Sequence, residues 1–241
     1  MFNPRSGVAA VLIAIFGWTA TPVHALTGAE VISRARTYLR DTSSDASRQR
    51  FSDSDLLGFL NDGQREANSY AWLMKSSYTF TLSGGTTEYA MPSDFMATWR
   101  VEYARKKLDQ TSINELDALS IGWKSASGTP QRYYLYTATT TLMGFQPAPT
   151  TLTTATVTVY YIQRTQDLTS SSQTPFNGWT QMQPYHSALS YYIAYRGLWL
   201  VGDTSLADRY MQEWSGFIEM MRTGMLKMPD YNPGAAGRRT Q

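Results

Sequence analysis

The sequence lacks cysteine altogether, and this absence excludes several kinds of chemistry at once. Without a thiol among its 241 residues, the chain can form no disulfide, no thiolate metal site and no cysteine nucleophile. Histidine is almost as scarce, with His24 near the N-terminus and His186 in a helical stretch. His186 has no acidic or cysteine partner three or four residues away, so the sequence predicts neither a metal site nor a catalytic triad. We expect His186 on a helix surface or at an interface.

Charged residues are also few. They make up 17% of the sequence, against about 25% in an ordinary soluble domain. The net charge is only +2, whereas the chain contains 16 Tyr and 7 Trp. This composition suits surfaces that become buried against protein partners. It suits the aromatic-rich core of a monomer equally well, so composition alone leaves both interpretations open.

Recognisable catalytic patterns are missing as well. Gly84-Gly85 is not followed by the Lys-Ser/Thr pair of a phosphate-binding loop. Glycoside hydrolysis needs two facing acids, for which Glu66, Glu88 and Glu115 are the candidates. Glu115 already has a simpler role as a helix-capping partner, and Glu66 lies in the middle of a predicted helix. We therefore expect no enzymatic activity, no cofactor and no metal.

Residues 1–25 differ from the rest of the chain. Arg5 precedes the uncharged run VAAVLIAIF at residues 8–16, and Val23-His24-Ala25 resembles a peptidase site. This arrangement is typical of a secretory signal, and the run is too short for a permanent membrane span. A misassigned start and an N-terminal segment buried at a protein interface are the alternatives. We expect no stable membrane association.

Two blocks of the sequence follow a helical period. Thr27 with Glu30, and Ser52 with Asp55, are capping boxes that open two helices within residues 26–77. Residues 167–228 predict a second pair, in which Gly202 ends one helix. The apolar positions of this pair are Tyr185, Ala188, Leu189, Tyr192, Tyr195 and Trp199 on its first helix, and Leu206, Tyr210, Trp214, Phe217, Met221 and Met225 on its second. Each block therefore predicts an antiparallel helical hairpin.

Residues 78–166, between these blocks, follow the period of two that is typical of strands. Residues 78–82 and 86–91 flank Ser83-Gly84-Gly85 and predict a β-hairpin. Further strands are predicted at residues 98–103, 131–136, 140–145 and 156–163, with a short helix opened by Ser112. The predicted fold class is α+β: an antiparallel helical bundle of two helical hairpins with an inserted antiparallel β-sheet domain. Residues 229–241 have no apolar period and predict a flexible tail.

Several phrases resemble the head-to-tail adaptor, or connector, proteins of tailed bacteriophages, particularly the short-tailed type. They are RFSDSDLL at 50–57, LNDGQRE at 60–66, EYAMPSDF at 88–95 and YYIAYR at 191–196. The resemblance covers about residues 27–228. It implies a structural virion protein at the head–tail junction, in a ring of commonly twelve copies around the DNA conduit. The implied partners are the portal protein, tail nozzle or tail fibre proteins and, without sequence specificity, genome DNA.

Three sets of residues are candidates for these contacts. Related adaptors insert their C-terminal region along the portal, which implies portal contacts for Tyr231, Arg238 and Arg239. A run of three cations between strands resists burial, so Arg105, Lys106 and Lys107 are the tail-binding candidates. Arginines near the first helix could contact DNA phosphates, and the DNA-channel candidates are Arg34, Arg36 and Arg40. An ordinary solvated face with salt bridges to a neighbouring subunit is the alternative for these arginines.

A function of a different class is also compatible with the sequence. With its leader cleaved after Ala25, the chain could be an exported bacterial β-rich protein. Its aromatic residues would then bind a surface ligand. The leader thus raises the possibility of export, whereas the resemblance implies a place in the virion.

Overall fold

The computed structural model describes residues 25–150 and 155–226. Most of the predicted leader and the portal-binding candidates Tyr231, Arg238 and Arg239 lie outside the described residues. The helices are α1 (Gly28–Leu39), α2 (Asp53–Ala71), α3 (Ile113–Leu119), α4 (Leu189–Leu200) and α5 (Thr204–Leu226). The strands are β1 (Lys75–Thr81), β2 (Glu88–Ala90), β3 (Phe95–Tyr103), β4 (Lys106–Lys107), β5 (Asp109–Gln110), β6 (Ser127–Gly128), β7 (Arg132–Thr137), β8 (Thr141–Gln146), β9 (Ala148–Pro149) and β10 (Thr156–Gln163). The α+β fold class is confirmed.

The helix starts that the sequence predicts are confirmed. Thr27, Ser52 and Ser112 each cap a helix, and each accepts a hydrogen bond from the backbone N–H three residues on. In all three cases the acidic side chain at that third position bonds back to the capping residue. Such caps each stabilise a helix by about 1 kcal/mol. Gly202, the predicted break between α4 and α5, adopts φ +83°, which a residue with a side chain rarely tolerates.

Helices α1, α2, α4 and α5 share one apolar core. Its largest fully buried members include Trp214, Leu56 and Leu60. The predicted apolar face of α5 is confirmed at Trp214 and Met221, which are both fully buried. The matching prediction for α4 is wrong at Trp199, which is 57% exposed. Trp199 lies in the last turn of α4, where Leu198 is the buried residue and Trp199, Leu200 and Val201 are exposed before the Gly202 turn.

The strands form two four-stranded sheets and one short pair. The first sheet has the order β1-β10-β3-β4 and the second β2-β8-β7-β5, while β6 pairs with β9. The long neighbours pair antiparallel, but β5–β7 and β6–β9 are parallel. A second apolar core joins the two four-stranded sheets and includes Val101, Val157 and Val159 from the first and Met143 and Phe145 from the second.

The predicted hairpin of residues 78–91 is wrong. A turn does form, since Thr86 N–H donates to the Ser83 carbonyl (3.1 Å) and Gly85 adopts φ +81°. However, β1 pairs with β10, and β2 pairs with β8 in the other sheet. With four buried residues, β10 is a more apolar partner for β1 than β2 is, and it lies between β1 and β3. Burial of a distant strand thus overrides a local turn signal.

Amide side chains of α2 hold the strand that returns from the β-sheets. Asn61 and Asn68 each bond to backbone groups on that return, through Nδ2 to the carbonyls of Leu168 (3.0 Å) and Gln163 (2.8 Å). Gln64 Nε2 donates to the Gln166 carbonyl (2.9 Å), and its Oε1 accepts from the Phe176 N–H (3.0 Å). We call Asn61, Gln64 and Asn68 the amide seam.

The amide seam fixes where the two parts of the fold meet. Its positions are spaced by three and four residues, so they lie along one side of α2. All three side chains are buried, and Gln64 is fully buried. Buried backbone groups need hydrogen-bond partners, and the seam supplies them to the end of β10 and to the chain that follows it.

His186 lies in the helical core, and the predicted surface position is wrong. The residue is fully buried, and Nδ1–H donates to the Leu26 carbonyl (3.2 Å). That bond assigns the proton to Nδ1, and the buried Nε2 has no hydrogen-bond partner among the described residues. Burial lowers the pKa of His186, and the bond to Leu26 offsets part of this effect. The residue therefore anchors the start of the described chain as a neutral imidazole.

Because the pKa of His186 is lowered, we expect the folded protein to become less stable in acid. An unfolded histidine has a pKa of about 6.5, so below that pH the unfolded chain binds a proton that the folded chain does not. The free energy of unfolding should therefore decrease as the pH falls through about 6.5 and below. His186→Asn keeps a donor for the Leu26 carbonyl but cannot titrate. Urea denaturation at several pH values between 5 and 8 should show a shallower decrease for this variant. Equal pH dependence in both proteins would contradict the prediction.

Candidate interaction surfaces

The three predicted tail-binding residues lie at the exposed turn between β3 and β4. Ala104 and Arg105 adopt positive φ values of 49° and 65°, which allow a tight reversal, and Lys106 pairs with Tyr103 across it. Arg105, Lys106 and Lys107 are all exposed. The predicted exposure is confirmed, and a contact with the tail stays a prediction.

The predicted DNA-channel arginines differ in their surroundings. Arg34 and Arg40 are exposed on α1 and at its end, whereas the Arg36 side chain is only 10% exposed. Arg36 donates from Nη1 to Asp41 (2.8 Å) and from Nη2 to both Asp53 (2.7 Å) and the Phe51 carbonyl (3.0 Å). Its guanidinium is engaged in holding the loop between α1 and α2. We therefore correct the prediction for Arg36, which has a structural role.

Two of the acids considered for hydrolysis have structural partners. Glu66 accepts a hydrogen bond from Trp214 Nε1 (3.0 Å) in the helical core. Burial, together with the Glu66 carboxylate, raises the pKa of Tyr192. Glu115 accepts from the Ser112 N–H (3.0 Å), as the capping box requires, and also from Thr111 Oγ1 (2.8 Å).

Glu88, the third acid, lies in an aromatic cleft between β2, β7 and α3. The cleft has a volume of about 310 Å³ and is lined by Thr87, Glu88, Ile113, Trp123, Lys124, Tyr134, Tyr136, Phe145 and Ala148. The hydroxyls of Tyr134 and Tyr136 both donate to the Glu88 carboxylate. Burial and this carboxylate raise the pKa of Tyr134 to about 12, so its hydroxyl stays a donor at neutral pH. Since Glu88 is the one acid among these lining residues, the cleft offers no facing pair for glycoside hydrolysis.

A stack of four aromatic rings forms a half-exposed face of the helical part. Tyr38 of α1 lies parallel to Tyr191 of α4, with ring centroids 5.4 Å apart and planes inclined by 9°. Tyr210 and Phe217 of α5 extend the stack at 5.3 Å from Tyr38 and 5.6 Å from Tyr191. We call these four residues the aromatic face. Met220 and Gly216 lie next to Phe217 on α5, and both are exposed. Because Gly216 has no side chain, it leaves a shallow depression in the surface. Aromatic residues at an exposed surface are typical of the centre of protein interfaces.

Two further observations concern metals and membranes. Within residues 25–150 and 155–226, no three His, Asp or Glu residues lie in an arrangement that could hold a metal ion. In the same two ranges, every helix is too short or too polar to cross a bilayer.

Residues 26–237 match the sequence profile of the SU10 adaptor protein family, and the chain belongs to that family. The match covers the helices, both sheets and most of the C-terminal segment. No curated protein matches the sequence. The chain is accordingly a bacteriophage adaptor, a structural component of the virion. Adaptors of this family interact with other virion proteins, such as those of the portal and tail. The alternative of an exported ligand-binding protein finds no support.

The sequence alone did not predict the amide seam or the aromatic cleft. Both depend on pairs far apart in the chain, such as Gln64 with Phe176 and Glu88 with Tyr136. Part of the aromatic face could be predicted from the sequence, since Tyr210 and Phe217 fall on the predicted apolar stripe of α5. Its completion by Tyr191 depends on how α4 packs on α1, which no local pattern contains.

Proposed function

We propose that the protein assembles as a ring that joins the portal to the tail and surrounds the DNA conduit. The match to an adaptor family over residues 26–237 is the observation that carries this proposal. The aromatic face supports it, because four half-exposed rings on three helices suit a contact with a neighbouring copy. The helices then form two antiparallel hairpins that pack side by side around the ring. We expect a ring of twelve copies, which is the commonest size for such rings in short-tailed phages. Its role is structural and not enzymatic.

The contacts along the ring axis use different parts of the chain. Residues 229–241, with Tyr231, Arg238 and Arg239, dock on the portal after α5 has carried them away from the helical core. The exposed turn with Arg105, Lys106 and Lys107 faces a tail nozzle or tail fibre protein with an acidic surface. Arg34 and Arg40 face the conduit and contact phosphates without reading sequence. A weak contact suits a conduit through which DNA must slide.

Reversing the charge of the exposed turn should weaken tail joining without affecting folding. The variant Arg105→Glu, Lys106→Glu, Lys107→Glu changes three exposed side chains, so its midpoint of thermal unfolding should stay within about 2 °C of the wild type. Attachment of tails to DNA-filled heads should fall, and electron microscopy can count it. The matched control is Arg34→Glu, Arg40→Glu. It reverses the charge of two exposed arginines on another part of the surface and should leave tail joining intact. A large loss of thermal stability in the turn variant would show that the turn is structural.

Truncation after Met228 should abolish most portal binding. The removed segment contains two Pro, two Gly and a single aromatic residue, Tyr231, so its sequence offers little apolar surface apart from that ring. Docking on the portal would supply that surface. Co-sedimentation with portal rings, together with a count of heads that retain DNA, measures the effect. If the truncated chain binds portals and seals heads as well as the full chain, the docking proposal is wrong.

Native mass spectrometry with N-terminal sequencing tests the proposed function most simply. The purified chain, alone and mixed with portal rings, should give ring-sized assemblies in at least one condition. A product that begins after Ala25 and stays monomeric with portal present would contradict the ring. Substituting Phe217→Ser and Met220→Ser should weaken assembly, because Phe217 belongs to the half-exposed aromatic face and Met220 is exposed beside it. The matched change Leu119→Ser, on the exposed end of α3, should leave assembly unchanged.

A further inference from the structure

The aromatic cleft is built around one carboxylate. Glu88 of β2, Gly144 of β8 and Tyr134 of β7 lie in one row across the second sheet, because Gly144 pairs with both of the others. A side chain at Gly144 would collide with the Tyr134 ring, so the glycine lets that ring lie across β8 toward Glu88. Tyr136 lies two residues further along β7, on the same face of the sheet. The hydroxyls of both tyrosines therefore converge on the Glu88 carboxylate.

The polar atoms at the base of the cleft are left as acceptors. Tyr134 Oη donates its proton to Glu88 Oε1 (3.4 Å), and Tyr136 Oη donates to Oε2. Burial and the carboxylate raise the pKa of Tyr134 to about 12, and the hydrogen bond to Glu88 raises the pKa of Tyr136, so both phenols keep their protons. With those protons committed to Glu88, the phenol and carboxylate oxygens have only lone pairs to offer a ligand. A ligand at this base must therefore be a hydrogen-bond donor.

The walls of the cleft are aromatic, and one of them already attracts a cation. Trp123 packs edge-on against Tyr134, with ring centroids 5.4 Å apart and planes inclined by 83°. Its Nε1 donates to Asp117 (2.7 Å), which holds the indole in place. The ammonium group of Lys124 lies 5.5 Å from the centre of the Trp123 ring, at a distance typical of cation–π contacts. A cationic donor with a flat apolar surface therefore suits both the base and the walls.

We propose that the aromatic cleft binds an arginine side chain of another virion protein. A guanidinium has five N–H donors in one plane, pairs with a carboxylate through two parallel bonds and stacks on aromatic rings. Arginine is enriched at protein interfaces, and adaptors of this family interact with other virion proteins. The cleft rests on its own small cluster of Leu116, Trp123 and Tyr134, separate from the helical core. The inference rests on the family membership, and a chain that forms no ring would still bind the arginine.

A titration of the full chain followed by saturation-transfer NMR tests the ligand chemistry. The probe is an acetylated and amidated Gly-Arg-Gly peptide, and its matched control has citrulline, which is similar in shape but uncharged. The arginine peptide should bind about tenfold more tightly, because a hydrogen bond to a charged group is stronger than a neutral one. Glu88→Gln keeps the size of the side chain without its charge and should remove this difference. Equal affinity of the wild type for both peptides would overturn the proposal, as would arginine binding that Glu88→Gln leaves unchanged.

A variant of the exposed Lys124 tests the sign of the charge that the cleft accepts. Lys124→Met removes the one cation among the lining residues, so the arginine peptide should bind about twofold more tightly, as expected for an exposed charge. Weaker binding would mean that Lys124 holds the ligand, as it would a carboxylate, and would overturn the proposal. Glu213→Gln makes the same change as Glu88→Gln on the exposed side of α5 and should bind the peptide like the wild type.

Photo-cross-linking in assembled virions identifies the source of the arginine. A benzophenone amino acid replaces Thr87, an exposed residue at the cleft. It should cross-link to an arginine-containing segment of another virion protein, and the yield should fall several-fold when Glu88→Gln is added. The same probe at Leu119, at the exposed end of α3, should not give this product. A cross-link to a second copy of this chain alone, or a yield that Glu88→Gln does not change, would overturn the proposal.

Discussion

Replacing Gln64 with leucine is expected to destabilise the protein by about 3 kcal/mol. The leucine fills nearly the same space but cannot bond to the Phe176 N–H or the Gln166 carbonyl, which Gln64 contacts at 3.0 and 2.9 Å. A buried group left unsatisfied costs about 1–3 kcal/mol, and Gln64→Leu also removes the bond to Asn61. For a chain of this length the loss corresponds to a decrease of roughly 6–12 °C in the midpoint of thermal unfolding.

The control for this variant is Gln212→Leu on the exposed side of α5. It makes the same chemical change on a helix surface, where substitutions usually alter stability by less than about 0.5 kcal/mol. Denaturation by urea gives both free energies of unfolding on one scale. If Gln64→Leu is as stable as Gln212→Leu, the amide seam is not what holds the returning strand.

Replacing Arg36 with methionine is expected to cost about 3–5 kcal/mol, because it leaves Asp41 buried without its cation. Asp41 is 7% exposed and also accepts from the Arg50 and Phe51 N–H groups, at 2.8 and 3.2 Å. Methionine keeps most of the aliphatic stem, so the loss reports the guanidinium. Thermal and urea denaturation should agree on the size of the effect.

Arg34→Met is the matched control for Arg36→Met, since both arginines lie on α1 and Arg34 is exposed. It should change stability by less than about 0.5 kcal/mol. Adding Asp41→Asn to Arg36→Met removes the unpaired charge and should restore part of the lost stability. A loss of equal size in both arginine variants would mean that burial of the ion pair is not the cause.

Much of this fold could be predicted because its signals are local. Each of the three capping boxes, which begin at Thr27, Ser52 and Ser112, pairs two residues only three positions apart, and all three boxes form. The turn between α4 and α5 is likewise a local signal, because it needs a positive φ at one position and Gly202 supplies it. The exposed turn at Arg105 was predictable because consecutive cations resist burial wherever the chain places them.

The errors arise where a distant partner decides the outcome. The turn at Gly85 forms as predicted, yet β1 and β2 part because β10 and β8 bury more apolar surface with them. His186 and Arg36 look like surface residues in sequence, but Leu26 and Asp41 provide the partners that allow their burial. The aromatic cleft likewise joins Glu88 to tyrosines 46 and 48 residues away. Periodicity contains no information about such pairs.

Cryo-electron microscopy of the head–tail junction in the phage that encodes this chain tests the central claim most directly. We expect a ring of density between portal and tail into which residues 25–150 and 155–226 fit without rearrangement. In that ring the aromatic face should contact a neighbouring copy, the turn at Lys106 should face the tail, and residues 229–241 should follow the portal. A junction that lacks the chain, or that holds it as an isolated subunit away from the DNA conduit, would contradict the account.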